Sequence, residues 1–384
     1  MRIKPNFIAI PIAALLGLIG AIGVTAFFTI SGAEQTEAKQ VGFRGVGLLQ
    51  NIDPVALRET APIHRVPEPE PVEEIDPNNP PLSVTQKYKN VQVLTDLNVQ
   101  QFSRLMQALT QWVSPEQGCA YCHNTKNLAS DEKYAKVVAR HMLQMTRNLN
   151  VQWKSHVGET GVTCYTCHRG QPVPSGDWFE KVAAASDAPN RMLGTRAGQN
   201  TAGVSTVGNT SLPYDPLTIF LNKEAPNIRV QGELPLAGES NNRRSVKQTE
   251  HTYGLMIYMA NSLGVNCTYC HNSRAFANWE QSPPPRATAW YGIRMVRDLN
   301  VTYLAPVGKL LPDFRLSPVG DEPKVACATC HKGAAKPLYG VSMIPDYPEL
   351  GIEAKAPYSA GPKTLAEVVP MDPYPRKAAA KTEE

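Results

Sequence analysis

The sequence has no cysteine to spare. All eight stand in four C-x-x-C-H groups: Cys119-Cys122-His123, Cys164-Cys167-His168, Cys267-Cys270-His271 and Cys327-Cys330-His331. None is left for a disulfide or for a lipid-modified N-terminus. Net charge is also scarce, +4 over 384 residues, which argues against a nucleic-acid binder with a clustered basic face. The Gly-, Thr- and Ser-rich stretch Gly194 to Leu212 lacks the spaced glycines of a phosphate loop and reads as connection only. No Ser/His/Asp set or carboxylate pair stands near any C-x-x-C-H group. Proline, by contrast, is plentiful at 33 residues, which favours extended connections over long elements.

C-x-x-C-H is the attachment signature of c-type haem. The two thiols form thioethers with the haem vinyl groups, and the following histidine supplies one axial ligand. A zinc reading would pair the groups to reach four ligands per metal. It gives no reason for a histidine after the second cysteine every time. The expected cofactors are therefore four covalently bound haem c groups, each with its iron.

Phe7 to Ile30 is a 24-residue run without a charged side chain. A membrane-spanning helix needs about 20 such residues, whereas the apolar part of a signal peptide needs about 7–15. Arg2 and Lys4 precede the run and would keep the N-terminus cytoplasmic. The run is read as a retained anchor, with a signal peptide cut near Ser31-Gly32-Ala33 as the competing reading.

The fold class expected is mainly α, a multihaem cytochrome c made of two pseudo-repeated two-haem halves of helix–loop–C-x-x-C-H units. Residues 1–31 form the anchor, and 32–83 an extended Pro-rich strap containing Val66-Pro67-Glu68-Pro69-Glu70-Pro71. The first haem pair occupies 84–190, an irregular connection 191–245, the second pair 246–345 and a C-terminal tail 346–384, its end polar from Lys377. The halves repeat at an offset of 150: Met145-Thr-Arg-Asn-Leu-Asn-Val151 returns as Met295-Val-Arg-Asp-Leu-Asn-Val301, Val157-Gly158 as Val307-Gly308 and Leu105-Met106 as Leu255-Met256.

The second axial position separates electron transfer, where it is filled, from catalysis, where it is open. From Asp131 to Leu149 a helix is expected, with acids in its first turn and a stripe of Tyr134, Val138, Met142, Met145 and Leu149. In the repeat Met145 persists as Met295, while Met142 becomes Gly292. Met142 is thus the expected ligand of haem 2, and Met145 and Met295 are packing. Gly292 suits a helix face that a haem plane approaches closely, and haem 4 needs a ligand from elsewhere. His156, where the repeat has Pro306, is the candidate partner of His331. Met106 and Met256 are expected on haems 1 and 3, with Met259 as runner-up for the latter. His64 is read as a surface residue of the strap, and His141 is a weaker ligand candidate. Together with His123, His168 and His271, this gives three His/Met irons and one His/His iron.

The chain resembles the tetrahaem cytochrome subunit of the purple bacterial photosynthetic reaction centre. Gly161-Val-Thr-Cys-Tyr-Thr-Cys-His-Arg-Gly170, Cys267-Thr-Tyr-Cys-His-Asn272, Trp290-Tyr-Gly-Ile-Arg-Met-Val-Arg-Asp-Leu-Asn300 and Asp346-Tyr-Pro-Glu-Leu-Gly351 carry the resemblance, which runs from about Val84 to Leu350. It implies the same ligand set and a nearly linear haem order of first, fourth, second, third, with alternating potentials. It implies electron delivery from a soluble donor near haem 1, through haem 3, to the photo-oxidised bacteriochlorophyll pair. Arg286 matches an arginine that raises the potential of haem 3. The implied partners are the L, M and H membrane subunits, membrane lipid, an antenna ring and a soluble donor. The place implied is the bacterial inner photosynthetic membrane, crossed once, with the bulk of the chain periplasmic. The alternative function is a membrane-anchored multihaem quinol dehydrogenase or reductase, which would need an open iron or a quinol site.

The donor is read from charge. Between Val99 and Ser130 the only acid is Glu116, so no acidic patch is written there to steer a basic cytochrome of the c2 or c8 type. Leu109, Trp112, Val113 and Tyr121 favour apolar docking, as by a high-potential iron-sulfur protein.

Overall fold

The computed structural model describes residues 9–30, 37–40, 49–52, 54–180, 212, 215–222, 228, 246–318 and 320–353. The Arg2 and Lys4 flank, the Ser31-Gly32-Ala33 cut, nearly all of the Gly194–Leu212 connection and the tail from Lys377 lie outside them. The uncharged run forms helix α1, Ala9–Ile30. Among the described residues no helix is long and apolar enough to cross a membrane, the side chains of α1 being described only over 14–25. Glu37–Gln40 and Leu49–Ile52 pair antiparallel as β1 and β2. The remainder is helical and irregular.

Six helices carry the duplication. In the first half these are α2 (Val99–Val113), α3 (Tyr134–Gln152) and α4 (Cys164–His168). In the second they are α5 (Val246–Leu263), α6 (Pro285–Asp298) and α7 (Cys327–His331). Asn98 starts α2 in a capping box: its side chain accepts from Gln101 N at 2.9 Å, and Gln101 Oε1 accepts from Asn98 N at 3.1 Å. Helix α3 begins at Tyr134, not Asp131, with no acid in its first turn. Asp131 instead pairs with Arg140 at 2.8 Å and Lys136 at 3.1 Å, a use that takes it out of the helix.

The repeated heptapeptide explains itself in hydrogen bonds. Asn150 donates to Val162 O at 2.9 Å and accepts from Val162 N at 2.7 Å. Asn300 does the same with Val325, at 2.9 and 2.8 Å. Each asparagine thereby fixes the extended segment that leads into an attachment helix. Arg147 reaches Glu349 O and Asp96, and its counterpart Arg297 reaches Phe220 O. Thr166 Oγ1 accepts from Thr163 N, and Thr329 Oγ1 from Ala326 N, both at 2.9 Å, so both attachment helices start alike. Both also end alike, with Arg169 and Lys332 at φ 51° and 49° and glycines at φ 81° and 85°. Those glycines, Gly170 and Gly333, each donate at 2.8 Å to a carbonyl near the end of the first long helix of their half, Trp112 O in α2 and Ser262 O in α5.

Helix α4 packs on α2, α7 packs on α5, and α4 and α7 pack on each other. The four attachment groups therefore run first, second, fourth, third. The expected order of first, fourth, second, third is corrected: equivalent helices α4 and α7 meet at the centre of a two-fold arrangement, so the second and fourth groups must be neighbours. The halves differ in one loop. Three residues separate Gly158 from Val162, whereas sixteen separate Gly308 from Val325. This longer segment crosses to the first half, where Leu311, Phe314, Arg315, Leu316 and Pro323 line its cavity.

Candidate haem-binding centre

Two adjoining cavities follow the helices. One, of about 890 Å³, is lined by Met106, Cys119, Cys122 and His123 and by Met142, Cys164 and His168. The other, of about 660 Å³, is lined by Met142, Cys167 and His168 and by His156, Cys327, Cys330 and His331. Met142 and His168 line both, at the shared wall. The structure thus brings together the residues expected around haems 1, 2 and 4. In the third group, Met256 and Met259 both pack against the core of the second half, and Met259 also lines the second cavity. Cys267–Tyr269 forms a 3-10 turn beside α5. Arg286 donates to Asn278 O at 2.9 Å and Ser282 Oγ at 2.7 Å and stacks over Trp279 at 4.1 Å. Its charge disfavours protonation of His271, although burial is the larger cause of that histidine's lowered pKa.

The residues fit haem. Every histidine of the four groups has Nδ1 on a backbone carbonyl: His123 on Leu128 O at 3.1 Å, His168 on Gln171 O at 2.8 Å, His271 on Phe276 O at 3.0 Å and His331 on Ala334 O at 2.9 Å. A carbonyl only accepts, so Nδ1 carries the proton and Nε2 keeps the lone pair a metal needs. His156 matches them, with Nδ1 on Thr288 O at 2.8 Å. Burial lowers the pKa of His156 and His168, and that of His331 to about 4, which favours the neutral, ligating form. The rings of His156 and His331 have centroids 6.1 Å apart. Two imidazoles on opposite sides of one metal, each with a bond of about 2.0–2.1 Å, would be separated by about this much. The buried Nε and Nη1 of Arg169 meet no protein acceptor, and a guanidinium fork suits the carboxylates that haem carries.

Gly292 has a different neighbour from the expected haem plane. A Cβ there would lie 2.5 Å from His156 Cε1, so glycine leaves room for the imidazole itself. His64 is likewise no surface residue. It is 3% exposed, donates from Nε2 to Lys332 O at 3.2 Å and lies 4.5 Å from the Tyr339 ring. Its strap segment folds back on the second half, a contact its local sequence does not announce.

The structure also joins Cys167 to Cys330 in a disulfide, with Cα atoms 4.4 Å apart, where the sequence reading leaves no cysteine for one. A sulfur in a disulfide cannot also hold a haem vinyl group, so the two bonds exclude each other. The physical reason for the pairing is the two-fold arrangement, which sets the second cysteines of equivalent motifs face to face.

The chain is similar to proteins of one family over most of its length. The family described as photosynthetic reaction centre cytochrome C subunit matches residues 32–351. A relative named photosynthetic reaction center cytochrome c subunit, from Rubrivivax gelatinosus, is 49% identical over 86% of this chain and 88% of its own length. Proteins of the same name from Thermochromatium tepidum and Roseobacter denitrificans are 45% and 42% identical, over 86% and 88% of this chain and 79% and 92% of theirs.

Proposed function

The chain belongs to the photosynthetic reaction centre cytochrome c subunit family, and from that premise we propose that it relays single electrons through four haems from a soluble donor to the photo-oxidised bacteriochlorophyll pair. Its electron-transfer role in the reaction centre, its covalent haem c and its association with the photosynthetic membrane through the reaction-centre membrane proteins follow from the family. The observation that carries the finer reading is the facing pair His156 and His331, at 6.1 Å.

Haem c supplies reversible one-electron exchange at iron. Cys119 and Cys122, Cys164 and Cys167, Cys267 and Cys270, and Cys327 and Cys330 would hold the four groups covalently. His123, His168, His271 and His331 would hold the irons together with Met106, Met142, Met256 and His156. Carbonyl bonds at Nδ1 orient the imidazoles, and the apolar cavity walls exclude water. Two side chains for each iron would leave no open position for a substrate, which suits a carrier rather than an enzyme. Arg286, beside His271, supplies a positive charge that favours the reduced form of haem 3.

Helix α1 would anchor the chain by a single span, leaving the bulk on the periplasmic side, next to the L, M and H subunits. Among the described residues near the first cavity, Phe314 and Leu128 are exposed at 75% and 57%. That supports a donor docking by apolar contact, such as a high-potential iron-sulfur protein. The test is flash excitation of membranes, following haem oxidation in microseconds. Slow or absent oxidation would overturn the relay. Carbon monoxide separates the quinol dehydrogenase or reductase reading, since an open ferrous iron would change its spectrum on binding.

A further inference from the structure

The crossing segment of the second half brings a cation to the first cavity. Arg315 lines that cavity with Cys119, Cys122 and His123. Its Nε donates to Tyr134 Oη and its Nη2 to Tyr121 Oη, both at 3.3 Å. Tyr121 lies between the two cysteines of the first group, and Tyr134 opens α3. The guanidinium is thus held by the attachment loop itself and by the helix that carries Met142.

Its partners are neutral. Tyr121 and Tyr134 each offer a phenol oxygen that accepts from the guanidinium, and neither brings a carboxylate to it. Among the described residues no carboxylate bridges Arg315. Of the four other cations that line this cavity, Lys136 and Arg140 are matched by Asp131, while Lys87 and Lys89 lie on the segment that precedes α2. The net positive charge at Arg315 is therefore offered to whatever occupies the cavity. A guanidinium presents its donors as a planar fork suited to a carboxylate. A fixed positive charge in an apolar wall also favours gain of an electron over its loss.

We propose that Arg315 sets the potential of the haem held by Cys119 and Cys122, taking that haem's acid groups as its partner and stabilising its reduced form. This rests on the reading of the first group as a haem site. It also gives the longer loop of the second half a purpose, because one half then tunes the cofactor of the other. Arg315 is a tuning residue, and it need not contact the iron.

The test is redox titration of the full membrane-extracted protein and of Arg315→Gln and Arg315→Lys. Intact mass confirms four haems in each. The component of the first group is identified by its absence from a Cys119→Ala, Cys122→Ala protein. In Arg315→Gln the oxidised-to-reduced ratio of that component at fixed poise should rise about tenfold, a fall of about 59 mV for one electron. Arg315→Lys, which keeps the charge and loses the fork, should fall less, and the other three components should hold. An unchanged first component in Arg315→Gln, or an equal fall of all four, would overturn the proposal. A wild-type mass short of four haems would refute the haem count instead, and is read separately from the potentials.

Discussion

Cys167 and Cys330 are the same residue of a duplicated motif, 163 positions apart in sequence and 4.4 Å apart at Cα. The contact lies where α4 meets α7, between the two centres that share the wall at Met142 and His168. Thioether and disulfide compete for these two sulfurs. Haem-loaded protein should have the mass of the chain plus four haems and no titratable thiol. Chain made without haem attachment and then oxidised should yield a Cys167–Cys330 peptide in non-reducing digests. A haem-loaded protein with fewer than four haems and this peptide intact would contradict the assignment.

The imidazole pair gives a second prediction. Replacing His156 with Met exchanges imidazole for thioether on the fourth haem, which raises its potential. The rise should be on the order of 100 mV, well inside the roughly 0.8 V span that axial ligands command. Redox titration should show the lowest component moved upward and the others held.

Gly292 tests the same centre from the opposite helix. Gly292→Ala sets a methyl group 2.5 Å from His156 Cε1, and either the imidazole or α6 must shift. Overpacking of this kind costs about 1–3 kcal/mol. The spectrum of the fourth haem should show a weakened or lost bis-imidazole signature, while Gly292 variants leave the first group untouched.

Asn300 makes a stability prediction. Its amide serves Leu221 O at 2.8 Å, Val325 O at 2.9 Å and Val325 N at 2.8 Å, and it is fully buried. Leucine there strands buried backbone groups, each costing about 1–3 kcal/mol. Denaturant unfolding of Asn300→Leu should show a loss of roughly 3 kcal/mol or more. The equivalent Asn150→Leu should behave alike, because it makes the equivalent bonds.

The donor prediction concerns Phe314. Apolar docking implies a re-reduction rate that changes little between low and physiological salt, where charge screening shortens to about 8 Å. Phe314→Asp should slow re-reduction about tenfold or more at saturating flash, and leave haem potentials other than the first unmoved. A rate that falls many-fold with salt, using a basic cytochrome, would point to charge-steered docking instead.

What the sequence disclosed was local or repeated. C-x-x-C-H announces itself within five residues, and the comparison of Met142 with Gly292 needs only the internal offset. What it withheld depended on distant segments meeting. Gly292 looked like room for a haem because nothing local says that a residue 136 positions earlier would occupy that space. His64 looked exposed because its cover is Tyr339 and Lys332, in the other half. The order of the centres was misjudged because the symmetry of a duplication is visible in sequence, whereas the location of its axis is not. Arg315 carries no motif at all. Only the uneven spacing of the repeat, an offset of 150 at Val307 and 163 at Cys327, marks the segment that holds it.

A self-facing pair of equivalent cysteines is the geometry of a homodimer interface, in which each copy presents one patch to the same patch of its twin. Joined in one chain, the twins no longer have to match. A loop added to a gene for one half would appear twice in a dimer, once on each copy, and would act on both ends alike. After fusion it appears once. The segment between Gly308 and Val325 has no counterpart of its length between Gly158 and Val162, and it gives two similar halves ends that differ.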